Sequence, residues 1–145
     1  MRTIRKAGAV LLVVTIAAIL THRVTQYYVS YKDVTPGMLQ DLRTNAGATG
    51  KSLMVLFGAD WCSDCAELST SLQQDAFRSY LNRNYVILRV DVGEFDRNLA
   101  VAKSLGVEVS QGIPTAVFFP SSGTSQAIRR GTAPILAYLR EAARD

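Results

Sequence analysis

The stretch FGADWCSDCAEL, residues 57–68, holds both cysteines of the chain, Cys62 and Cys65, with two residues between them. Just before it, Ser52 to Phe57 (SLMVLF) is apolar without alternation, the pattern of a strand buried on both faces. From Cys62 to about Tyr80 the spacing of Leu68, Leu72 and Phe77 is helical. Cys62 therefore falls where a strand gives way to a helix, with its sulfur near free backbone N–H groups at the positive end of the helix dipole. Such settings lower a cysteine pKa from about 8.5 into the range of roughly 3.5 to 7.5, which supplies the nucleophilic thiolate near neutral pH. Cys65, one turn deeper, is within reach to attack a mixed disulfide formed on Cys62. Other readings stay open at this point. A structural zinc site wants four ligands, and the chain offers two cysteines and a single histidine, His22, far from them in sequence. Two thiolates could also carry copper, or the pair could be packed core cysteines or a permanent disulfide, although so small a loop restrains the unfolded chain little.

Working outward, Val24 to Lys32 (VTQYYVSYK) is β-prone and reads as a linker, a short first strand, or both. Thr35-Pro36 starts a helix, a capping side chain followed by proline at the first helical position, and the glycines of NAGATGK close it. Tyr85 to Val92 (YVILRVDV) is a second buried strand. Asp96 is positioned to cap a helix that runs to about Leu105 and stops at Gly106. Thr115 to Phe119 is a strand, Pro120 to Thr124 a turn, Ser125 to Arg129 its hairpin partner, and Pro134 opens a last helix with Ile135, Leu136 and Leu139 on one face. The expected order is β-α-β-α-β-α-β-β-α. Helices between strands imply parallel crossovers and the hairpin an antiparallel pair, so the fold class is α/β with a mixed central sheet flanked by helices.

The 145 residues fit one globular domain, with 48% hydrophobic and 19% charged residues. The formal charge of +4 is confined to the start of the chain: Arg2, Arg5, Lys6 and Arg23 face no acid in the first 25 residues, and beyond them twelve bases meet twelve acids. No basic stripe remains to hold a nucleic acid, so none is expected as a partner. Ala7 to Thr21 is a run of fifteen uncharged, mostly apolar residues behind a basic start. It reads as an export or membrane signal, nearer in length to a signal-peptide core than to the roughly 20 residues that span a bilayer. The small residues of a cleavage site are poorly placed, because Ile16 stands two positions before Ala18 and Thr15 before Ala17. Lys6 and Arg23 can snorkel outward to lengthen the span. The reading is an uncleaved anchor over residues 1–25, a linker or first strand over 26–34 and a folded domain over 35–145. A cleaved signal or a buried helix is the alternative. Either export reading places the domain outside the cytoplasm, where disulfide chemistry persists.

FGADWCSDC resembles the active-site strand, turn and helix of thioredoxins, and GIPT at residues 112–115, just before a strand, resembles their cis-proline loop. The resemblance covers about residues 33–145. Ala66-Glu67-Leu68 after the pair, with VDV and GIPTAVFF later, makes it closest to the thioredoxin-like C-terminal domain of bacterial thiol:disulfide interchange proteins. It implies a thioredoxin-like fold in which Cys62 attacks and Cys65 resolves. Pro114 would lie against the disulfide and leave the backbone of Ile113 to pair with an extended substrate segment. Trp61 would flank and shield the nucleophile, and Gly131 would let a substrate approach. Plain alternatives are a turn proline, core packing for the tryptophan and an ordinary turn glycine.

Departures from that family qualify the expectation. Ser63-Asp64 replaces the Gly-Pro of cytoplasmic thioredoxins, and Asp64 opposes formation of the thiolate while favouring the helix start. If repulsion dominates, the disulfide is relatively favoured and the pair is a reductant rather than a strong oxidant. The family's buried acid falls at Leu56, so a proton acceptor for Cys65 is missing from its usual place; Asp60 and Glu67 are the candidates to replace it, with a solvated surface acid as the plain alternative for each. The expectation is a protein-disulfide reductase, monomeric, membrane-tethered and facing the periplasm from a bacterial inner membrane. Its partners would be a disulfide-containing client protein and an upstream thiol donor. No cofactor or metal is called for, because the two sulfurs carry the electrons. The alternatives are a disulfide-forming oxidant or isomerase, or a binding or copper-carrier module without redox turnover.

Overall fold

The computed structural model describes residues 31–121 and 125–144. The expected anchor at 1–25 and most of the expected linker lie outside these residues. Among the described residues no helix is long and apolar enough to cross a membrane.

Among the described residues the elements in chain order are α1 (Pro36–Ala48), β1 (Ser52–Gly58), α2 (Ser63–Gln73), α3 (Asp75–Asn84), β2 (Tyr85–Asp91), α4 (Leu99–Ser104), a 3-10 turn (Val109–Gln111), β3 (Thr115–Phe119), β4 (Ala127–Arg130) and α5 (Thr132–Ala142). The four strands form one mixed sheet in the order β2-β1-β3-β4. β1 runs parallel to β2, with Leu56 opposite Arg89, and antiparallel to β3, which pairs antiparallel with β4. The central strand explains the lack of alternation in SLMVLF. Leu53, Val55 and Phe57 enter one core layer with Leu39, Ala46, Val101 and Leu105 from α1 and α4 and their flanks. Met54 and Leu56 enter the other, with Leu68 and Leu72 of α2, Leu81 of α3 and Ile135 and Leu139 of α5. Burial on both faces removes the reason for any polar position in the strand.

Several boundaries differ from expectation. Of the stretch expected as a linker or first strand, the described residues show an isolated bridge between Lys32 and Val90. The single helix expected from Cys62 to Tyr80 is two helices, broken where Gln74 adopts an extended conformation (φ −62°, ψ 144°). The break has a packing cause: the apolar step is four residues from Leu68 to Leu72 but five from Leu72 to Phe77, so a continuous helix would carry Phe77 and Leu81 off the buried face. Asp96 does not cap the following helix. Its Oδ1 accepts from Glu94 N at 3.0 Å within the loop, and α4 begins three residues later, after Asn98 in the left-handed region (φ 53°). The last helix starts at Thr132, so Pro134 sits within its first turn. Thr35 caps α1 as expected, accepting from Met38 N at 3.2 Å.

Candidate active site

β1 ends at Gly58 and the chain turns through Ala59, Asp60 and Trp61 into α2. Cys62 is the N-cap of that helix, in extended conformation, and its Sγ accepts from Cys65 N at 3.1 Å. The sulfur thus occupies the place of a capping oxygen, where it satisfies one of the orphan donors of the first turn. Cys62 and Cys65 form a disulfide with their Cα atoms 5.2 Å apart. Cys62 is 7% exposed and Cys65 1%, so the outer sulfur is the one that can be approached. Ser63 and Asp64 fill the first turn, both exposed, and place a carboxylate near the positive end of the helix.

The loop before β3 brings the backbone of Ile113 to Cys62. The Ile113–Pro114 peptide bond is cis, and Cys62 Sγ lies 4.0 Å from the Ile113 carbonyl oxygen. Gly131 N donates to Pro114 O at 2.7 Å, which joins the start of α5 to this loop. Gly131 has a φ of 86°, a conformation that side chains rarely adopt, so the tight turn here favours glycine. Thr132 Oγ1 donates to Asp64 O at 3.0 Å and closes the ring back to α2. Between these two helix starts runs a surface cleft of about 500 Å³, with Asp64 and Glu67 on one side and Gly131, Thr132, Pro134 and Arg140 on the other.

Trp61 is 51% exposed, which sets aside core packing as its role. Its Nε1 donates to Gly93 O at 2.9 Å, and its ring meets Phe95 edge-on at 5.6 Å. Phe95 has a φ of 66° and is itself exposed. Sequence reading missed it, because its position is set by a loop whose turns are held by Asp91 and Asp96 side chains rather than by any apolar period.

Asp60 and Glu67 are both surface residues, and neither takes the buried place beneath Cys65. Leu56, the position at which the family's buried acid falls, is fully buried, with Arg89 opposite it across the β1–β2 ladder. Arg89 is only 5% exposed. Its Nη1 donates to Ser69 Oγ at 2.6 Å, and Ser69 donates in turn to Cys65 O at 2.8 Å. Burial pushes the guanidinium below its ordinary range, which the neighbouring Tyr31 partly opposes. The Tyr31 phenol is pushed up, by burial first and by the charge of Asp60, against the opposing effect of Arg89. Tyr31 can lie there because residue 58 is glycine: a Cβ at that position would overlap the Tyr31 hydroxyl. The signal for Arg89 was present in the sequence as the one charge inside the apolar run YVILRV.

The thioredoxin-like family model matches residues 39–121. The chain is 32% identical over 106 residues to the thiol:disulfide interchange protein DsbD of Colwellia psychrerythraea, covering 72% of this chain and 17% of that protein. It is 29% identical to the chloroplastic thioredoxin-like protein HCF164 of Arabidopsis thaliana, covering 84% and 43%. The chain therefore spans less than half the length of these curated relatives. Among solved structures, a disulphide isomerase from Xylella fastidiosa Temecula1 superposes with a TM-score of 0.59 at 29% identity, over 77% of this chain and 85% of that one. A thioredoxin from Thermus thermophilus shares the fold at 24% identity and a TM-score of 0.52, over 72% and 82%. With more than half its length matched by the family model and a Cys-x-x-Cys disulfide at the head of α2, the chain belongs to the thioredoxin-like family.

Proposed function

We propose that this thiol-disulfide oxidoreductase-type domain reduces or exchanges disulfides of protein clients outside the cytoplasm, with Cys62 as nucleophile and Cys65 as resolving thiol. One observation carries the reading: the disulfide sits at a helix start where Cys62 Sγ accepts from Cys65 N, beside the carbonyl of Ile113. In the reduced protein the same N–H and the helix dipole stabilise a Cys62 thiolate. That thiolate attacks one sulfur of a client disulfide and forms a mixed disulfide, releasing the other client sulfur as thiol. Cys65 then gives up its proton and attacks Cys62 Sγ. The client leaves with two thiols, and the domain is left oxidised as Cys62–Cys65, to be reduced again by an upstream dithiol. The backbone of Ile113 would hold the client as an added strand, with Trp61 on one flank and Gly131 on the other.

The apolar segment at 1–25 supports tethering of the 35–145 domain to a membrane on its outer side, and the resemblance to a thiol:disulfide interchange protein agrees with that location. The test is covalent trapping. Cys65→Ser should accumulate client bound through Cys62 in non-reducing gels, and Cys62→Ser should not. Trapping by Cys62→Ser in place of Cys65→Ser would reverse the two roles, and turnover that survives loss of both cysteines would end the proposal.

A further inference from the structure

Among the described residues, Arg89 is a buried cation with no carboxylate partner. The ion pairs formed among the described residues, Arg78–Asp75 and Arg97–Asp91, leave it out, and its Nε is buried with no partner. A buried charge without a counter-ion is costly, and structures keep one where something offsets it. Its partners are Ser69 Oγ at 2.6 Å and Tyr31, whose ring lies 5.6 Å from the guanidinium carbon and whose phenol is a neutral polar neighbour rather than a counter-ion. Ser69 stands one helical turn beyond Cys65, a spacing that brings side chains within about 5–6 Å of each other. In the disulfide form no anion faces the guanidinium from α2. Reduction creates one.

We propose that Arg89 is a positioning residue whose buried positive charge stabilises the Cys65 thiolate during resolution, in place of a buried base. The inference rests on the redox reading above, because a thiolate at Cys65 is needed only if the pair turns over. Leu56 cannot accept a proton, so the Cys65 proton leaves to water, and the guanidinium holds the anion that remains while it attacks Cys62 Sγ. The electron pair that forms the new S–S bond comes from Cys65, and the client sulfur departs as the leaving group. Other titratable groups around the site are Asp60 on the turn after β1, Asp64 and Glu67 on α2, and Tyr31 from the segment before α1. The three carboxylates are solvent-exposed and screened, whereas Arg89 is not. Burial of Cys65 acts against the thiolate, so the cation and the desolvation oppose each other at one atom.

The experiment uses the full chain with Cys62→Ser, which leaves Cys65 as its single thiol and mimics the uncharged Cys62 of a mixed disulfide. Ultraviolet absorbance of the thiolate is followed against pH. Cys65 should titrate no higher than the ordinary cysteine value of about 8.5 despite its burial. Adding Arg89→Met should raise it by about one pH unit, a tenfold loss of thiolate below the pKa, and Arg89→Lys should restore most of it. Equal titration of Cys65 with and without the Arg89→Met substitution overturns the proposal. Should the methionine variant not fold, a Cys65 that titrates well above 8.5 with Arg89 in place overturns it equally. The Cys62–Cys65 couple gives a second readout: potentials of the parent and Arg89→Met chains should coincide at acid pH and separate as thiolates form, by about 30 mV for a tenfold effect. An offset that is the same at every pH marks a structural effect and contradicts the proposal. Failure of the chain to reduce any protein disulfide would sink the functional reading and leave this titration intact, so the two can fall separately.

Discussion

Replacing Ser69 with alanine tests the buried network beneath the cysteines through stability alone. Ser69 Oγ accepts from Arg89 Nη1 at 2.6 Å and donates to Cys65 O at 2.8 Å. A hydrogen bond to a charged donor contributes about 1.5–3 kcal/mol, and its loss leaves both Nη1 and the already unpartnered Nε of Arg89 without an acceptor. Alanine returns about 0.5 kcal/mol through its higher helix propensity. The net loss should be about 1–2.5 kcal/mol, or roughly 4–10 °C in Tm for a folded unit of this size. Thr70→Ala is the control, because Thr70 makes the same back-bond to Ala66 O at 3.0 Å on the exposed side, with no arginine attached. Urea unfolding of the oxidised chains should give a clear drop for Ser69→Ala and a change within about 0.5 kcal/mol for Thr70→Ala. In the Arg89→Met background the Ser69→Ala loss should shrink, which isolates the pairwise term. Equal effects of the two alanines would refute the claim that Ser69 supports a buried cation.

Gly58→Ala should cost about 1–3 kcal/mol, because its Cβ overlaps the Tyr31 hydroxyl, and less in a chain that also carries Tyr31→Ala; unfolding midpoints of the four chains check this. Tyr31 and Tyr85 are held as neutral phenols, chiefly by burial, so their folded pKa values lie above the unfolded ones. Their contribution is fully present below about pH 10 and is lost as pH rises beyond it, so urea midpoints should fall through that window and fall less in Tyr85→Phe. Asp64→Asn removes a charge beside the nucleophile, and alkylation rates of the reduced chain against pH should show a Cys62 pKa lower by a few tenths of a unit, since the carboxylate is exposed and screened.

The strand, the helix start and the cysteine pair were legible because they rest on local patterns: an apolar run, helical spacing, and a sulfur at the junction. The break at Gln74 was also written in the chain, as the five-residue step from Leu72 to Phe77, but a single irregular step is easily absorbed into a longer helix. The loop of residues 92–98 was not legible. Asp91 and Asp96 side chains bind its backbone, and Phe95 and Asn98 take left-handed conformations that no periodicity signals. Of the β-prone stretch before α1, the described residues contribute the bridge at Lys32. Leu56 discloses in the sequence that the family's acid is missing, and Asp60 and Glu67 lie on the surface. The buried charge opposite Leu56 is Arg89, from the neighbouring strand.

The equilibrium potential of the Cys62–Cys65 couple, measured on the full chain against dithiothreitol and glutathione buffers, tests the central claim most directly. A reversible two-electron transition between about −270 and −180 mV, the interval from thioredoxin to protein disulfide isomerase, is the predicted result. A disulfide that resists reduction below about −300 mV would be a structural cross-link and would contradict the account.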